Sequence, residues 1–254
     1  KIMEKTHLII LYLFLTSAII ITATVITYKA LTVPKSKKYV VETIEANSKD
    51  YIKVGIISDA QLPQEEKNLY GWDYATVMNG ADHLIKALKY YKSQNVDMIV
   101  FNGDMVNATG DYAAYSAYNK ILDYVYGEDR AEAPHIIYPM GNHEFYGGNQ
   151  EHNFYKSTGL PLNTRTIVNG YSFISISNSK LEKGDEELAE SNDTLADGTY
   201  NEKRIEFLKE QLAAANTEDP NKPIFVFIHM PISNIVNGGH WATPQYEEIY
   251  SILK

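Results

Sequence analysis

The sequence predicts an α/β domain with largely parallel strands. Two observations carry that reading. From Tyr51 onward, short apolar runs alternate with longer segments of helical period, and most of the runs end in polar residues of related chemistry. An apolar run of four to eight residues bounded by turn signals reads as a buried strand. Strand–helix–strand alternation implies βαβ crossovers.

Strands are expected at 52–58 (IKVGIIS), 96–101 (VDMIVF), 135–140 (HIIYPM), 171–177 (YSFISIS) and 223–229 (PIFVFIH). Helices are expected over 73–94, 111–126 and 199–215. In the last of these, Ile205, Leu208 and Leu212 fall on one helical face. The acidic stretch 181–198 reads as a solvated surface loop.

The 254 residues are 44% hydrophobic and 22% charged, enough for a sizeable core. The net charge of −9 repels nucleic-acid backbones, so no nucleic-acid partner is expected through bulk charge. An anionic substrate would need bound cations to supply local positive charge. The chain has no cysteine, which excludes disulfides, thiolate metal sites and cysteine nucleophiles.

Residues 1–30 read as an N-terminal transmembrane or signal-anchor segment. Leu8 to Tyr28 contains no charged residue, and about 20 apolar residues cross a bilayer as a helix. No small-x-small cleavage site follows, so the anchor is expected to stay and to make the membrane a partner. Lys29, Lys35, Lys37 and Lys38 after the run argue mildly for a cytoplasmic C-terminal side. The short leading tail and large following domain suit an exported anchor instead, and an extracytoplasmic domain is the expectation. Residues 31–50 read as a linker, and 51–254 as the folded domain.

Parallel strands place their C-terminal ends along one sheet edge, where ligand sites of open α/β sheets form. The first expected strand is followed by Asp59-Ala60-Gln61 and the second by Asn102-Gly103-Asp104. The third is followed by Gly141-Asn142-His143-Glu144, and the fifth ends at His229. Carboxylate, amide oxygen and imidazole nitrogen suit Mn, Fe or Zn. Two such cations about 3.5–4 Å apart clamp a phosphoryl group and generate hydroxide at neutral pH. The glycines before Asp104 and Asn142 allow a sharp turn at the strand end.

D-x-Q, G-D, G-N-H-E and a strand-terminal His, in that order, resemble the calcineurin-like metallophosphoesterases over residues 51–254. The resemblance implies an α/β/β/α sandwich. It also implies a dinuclear centre of divalent or trivalent ions that hydrolyses a phosphate ester with a bridging hydroxide. On this likeness Asp59 and Gln61 ligate the first metal, Asp104 bridges, and Asn142 and His229 ligate the second. His143 stands beside the leaving group as the catalytic histidine, with Glu144 behind it as its orienting partner. The substrate partner is a phosphorylated small molecule or macromolecule.

Two departures from the pattern stand out. Position 61 is Gln where the family carries His, and its carbonyl oxygen is a harder and weaker donor than imidazole. No G-H-x-H occurs; Gly239-His240-Trp241-Ala242 holds only its first half. The domain is therefore expected to be incomplete at its C-terminus and this chain inactive. The alternative is a non-catalytic, surface-displayed binding protein that keeps the fold.

Singly, each residue has a plainer explanation: an Asp after a strand is often a helix cap, and a lone His is often a core residue. The ordered set decides between the readings. Other templates fail. There is no phosphate-binding G-x-x-x-x-G-K-[ST], His143-Glu144 meets Gly147 where H-E-x-x-H needs His, and Ser58 lacks the glycines of a nucleophile elbow.

Overall fold

The computed structural model describes residues 39–62, 74–107, 112–145, 150–178, 200–232 and 245–254. Residues 1–30 and the acidic stretch 181–198 lie outside them, as does His240. Among the described residues no helix is long and apolar enough to cross a membrane. Lys37–Lys254 form one compact unit.

Seven strands are described: β1 (Tyr39–Ile44), β2 (Val54–Ile57), β3 (Met98–Phe101), β4 (His135–Ile137), β5 (Asn163–Val168), β6 (Tyr171–Ile176) and β7 (Ile224–Ile228). The helices are α1 (Tyr74–Gln94), α2 (Tyr112–Tyr126), α3 (Gln150–Thr158), α4 (Glu202–Glu218) and α5 (Tyr246–Leu253). One sheet has the order β2-β3-β4, all parallel, and the other β1-β5-β6-β7. In the second sheet β5 and β6 are antiparallel, while β1 with β5 and β6 with β7 are parallel.

Strand β3 shows how sequence sets the layers. All four residues are buried because the strand is central and covered on both faces. Ile99 and Phe101 point to one side and pack with Leu84 and Leu88 of α1 and Tyr118 and Leu122 of α2. Met98 and Val100 point to the other side and meet Val168 and Phe173 of the second sheet. On that sheet's far face, Ile174 and Ile176 pack with Ile205 and Leu208 of α4 and Ile249 of α5. The result is the expected α/β/β/α sandwich with mostly parallel strands.

Two strands differ from expectation. Strand β1 lies inside the stretch read as linker, where YVVETI alternates exposed and half-buried positions beside β5. Strand β5 was not anticipated because its buried residues include Asn163, Thr164, Arg165 and Thr166. The Arg165 guanidinium is satisfied by Ser172 Oγ at 3.0 Å and by the Glu218 carboxylate. The β5–β6 hairpin turns on Asn169-Gly170, with φ of 50° and 78°, the left-handed pair that a tight I′ turn requires. Helix α4 begins at Glu202, later than expected, because the Asn201 side chain caps it by accepting from Arg204 N at 3.2 Å.

Candidate metal centre

The loops after β2 and β3 run side by side. Asp59 N donates to Gly103 O at 3.1 Å, Gln61 N to Asp104 O at 2.9 Å and Leu62 N to Met105 O at 2.9 Å. Six non-glycine residues among those described have positive φ, and three of them are Asp59 (59°), Gln61 (44°) and Asp104 (54°). Left-handed backbone costs an ordinary side chain about 1 kcal/mol or more. Its concentration on these loops shows that the fold holds them in a fixed shape.

Asp59, Asp104 and His229 each offer one ligand atom, and the three atoms lie within 4.8 Å of one another. They come from the ends of three strands, β2, β3 and β7. Asp104 is buried, His229 half-buried and Asp59 exposed, so the cluster opens to solvent at Asp59. Gly141 lets the third strand end approach. A Cβ there would press on Asp104 Oδ1 and stand 2.7 Å from His229 Cδ2. Gly103, at φ 83°, is equally constrained, since a Cβ would sit 2.6 Å from His229 Cγ.

The wiring of His229 is that of a metal-ligating histidine. Its Nδ1–H donates to Asn102 O at 2.8 Å, which leaves Nε2 to face Asp104 Oδ2 and Asn142 Oδ1, each at 3.2 Å. A neutral imidazole would present a lone pair to two further lone-pair donors. A cation relieves that arrangement, either a proton on Nε2 or a metal ion between the three atoms. Burial would lower the pKa of His229, but its bond to Asp104 and that carboxylate's charge outweigh burial and raise it to about 9. The donor set thus fits a hard or borderline metal.

His143 sits in a single helical turn (His143–Phe145), with its N–H on Asp104 Oδ1 at 2.9 Å and Nε2 at 3.8 Å from Asp104 Oδ2. Burial lowers its pKa, against the pull of Asp104.

Glu144 is the residue expected from the family likeness to orient His143. The hydrogen bonds of its carboxylate do not run to that ring. Instead it accepts four backbone N–H groups, from Gly141 (2.7 Å), Met105 (2.8 Å), Asp104 (2.9 Å) and Val106 (3.4 Å), and the Tyr138 hydroxyl at 2.7 Å. The physical reason is its complete burial: a carboxylate there must collect donors, and the two turning loops supply them. Burial and the Asp104 charge raise its pKa to about 7, while the Tyr138 bond opposes the shift.

Of the sites anticipated in the sequence, Asp59, Asp104, Asn142, His143 and His229 converge, and Gln61 is fixed beside Asp104 through its backbone. Sequence reasoning missed Asn102, whose contribution is a carbonyl that any residue could supply. It also missed Tyr138, which looks like any aromatic of a buried strand. His135 is structural, paired with Glu42 at 3.2 Å.

The profile of the calcineurin-like phosphoesterases matches residues 52–252. No curated protein sequence matches the chain. Among solved structures, the crystal structure of a dimetal phosphatase from Danio rerio is similar, with 18% identity and a TM-score of 0.58 over 80% of this chain and 77% of that one. At that identity the likeness speaks for the fold. The profile match spans most of the chain and coincides with the strand-end cluster, and on that ground the chain belongs to the calcineurin-like phosphoesterase family.

Proposed function

We propose that this protein hydrolyses a phosphate ester at a two-metal centre in which Asp104 is the shared ligand. Membership of the family implies two metal ions and a phosphorylated substrate. The observation that carries the finer reading is the convergence of Asp59, Asp104 and His229 from three separate strand ends. Asp59 and Gln61 would hold the first ion, and Asn142 and His229 the second. Two ions held by these residues would supply positive charge for the phosphoryl oxygens and acidify a water at neutral pH.

This chain's own residues do the rest. Asn102 O fixes the His229 tautomer, so that Nε2 faces the centre. The buried Asp104 keeps one oxygen on the His143 amide and turns the other to His229. His143, neutral at ordinary pH because burial lowers its pKa, donates a hydrogen bond to the departing ester oxygen. The P–O ester bond breaks as the new P–O bond forms, and the proton lost by the attacking water ends on the alcohol. We also propose that residues 1–30 anchor the protein in a membrane with the domain on the extracytoplasmic side.

Asp104→Asn tests the assignment. Metal content and cleavage of aryl phosphates should fall together, and an active variant would defeat the shared-ligand role. A second reading, a non-catalytic binding protein of the same fold, is favoured by Gln61, a weaker metal donor than the histidine the family carries there. Wild-type chain that binds Mn2+ but cleaves neither aryl monoesters nor diesters would favour it.

A further inference from the structure

We propose that Ser177, just past β6 of the second sheet, is a positioning residue for the Asn142–His143 loop that follows β4 of the first. The role rests on the metal-centre reading above. Both backbone polar groups of Met140, two residues before Asn142, are held from across the sandwich. Met140 N donates to Ser177 Oγ at 2.8 Å, and Asn178 N donates to Met140 O at 2.9 Å. The two bonds join the segment after β4 to the segment after β6, strands that belong to different sheets. With Gly141 N on Glu144 and His143 N on Asp104, it pins three of the four residues 140–143 through their amides.

Ser177 is itself held on every side. Its hydroxyl donates to Leu162 O, its N–H donates to Asn163 Oδ1 at 3.0 Å, and its carbonyl accepts from the Arg204 guanidinium. Arg204 is 2% exposed and also binds Glu151 of α3. A buried guanidinium is costly unless its donors are matched, so this node has one low-energy arrangement. The serine therefore transmits the rigidity of β5, β6, α3 and α4 to the loop that carries Asn142 and His143. A hydroxyl is needed at 177 because one atom must accept from Met140 and donate to Leu162 at once.

Titration of the full chain, in detergent, with Mn2+ tests the role. The matched control is Ser175→Ala, which removes an equally buried hydroxyl two residues earlier whose partner is Thr164. Ser177→Ala should weaken Mn2+ binding about 10-fold or more by loosening the loop that carries Asn142, and Ser175→Ala by less than about twofold. Wild-type Mn2+ affinity in Ser177→Ala, or equal weakening in both variants, overturns the role. Amide exchange in the unsubstituted chain gives a measurement independent of how Ser177→Ala folds. The Met140 N–H should exchange as slowly as those of β3, and free exchange overturns the role. Wild-type chain that binds no Mn2+ is a different failure, since it removes the metal-centre reading itself.

Discussion

Glu144 and Asp104 exchange carboxylate–amide bonds between their loops. Glu144 Oε2 accepts from Asp104 N at 2.9 Å, while Asp104 Oδ1 accepts from His143 N, next to Glu144, at the same distance. Each acidic side chain thereby caps the turn that presents the other. Glu144→Ala should strand four buried N–H donors at about 1–3 kcal/mol each, enough to lower stability by more than about 3 kcal/mol. Urea unfolding of the metal-free protein measures it; a loss under about 1 kcal/mol would show that water or rearrangement satisfies those donors.

Gly141→Ala separates site geometry from fold. The added methyl has no space between Asp104 Oδ1 and His229. We expect metal affinity to fall about 10–100-fold. Circular dichroism should remain close to that of the unsubstituted protein. Calorimetric titration with Mn2+ reads the first outcome.

His143→Ala should leave the metal ligands in place and lower kcat about 100-fold or more, the usual contribution of a positioned acid or base. Metal content by mass spectrometry should be unchanged. If metal is lost along with turnover, His143 belongs to the ligand set.

Gly170→Ala is the counterpart away from the site. With φ at 78° in the β5–β6 turn, alanine should cost about 1–2 kcal/mol of stability. The Lys222 ammonium that a Cβ would meet lies at the end of a flexible chain and can move aside. Mn2+ affinity should be unaffected, which a titration beside the Gly141 variant would check.

What could be read in the sequence followed from burial. Strands β2, β3, β4, β6 and β7 announce themselves because their buried faces are apolar. Strand β5 does not, since Asn163, Thr164, Arg165 and Thr166 fill its place in the sheet and are paid off by hydrogen bonds that sequence cannot display. The Asn169-Gly170 dipeptide was the one local signal for it. The candidate ligands were legible because they stand at the ends of apolar runs, two of them directly after a glycine. The family likeness set Glu144 behind His143, and the sequence could not show that a turn sends its carboxylate under the neighbouring loop. Ser177 and Arg204 gave no signal, since their partners lie far off in the sequence and meet them only through tertiary packing.

The left-handed backbone at Asp59 and Asp104 bears on how such a protein can change over evolutionary time. Asparagine tolerates that conformation as readily as aspartate, and both are among the few side chains that do. A one-step change at either position would remove a metal-binding charge while the loop kept its shape. Loss of catalysis is thus separable from loss of fold at these two residues. Non-catalytic descendants of this architecture are expected to differ from active ones by amides where acids stood, with their glycines intact.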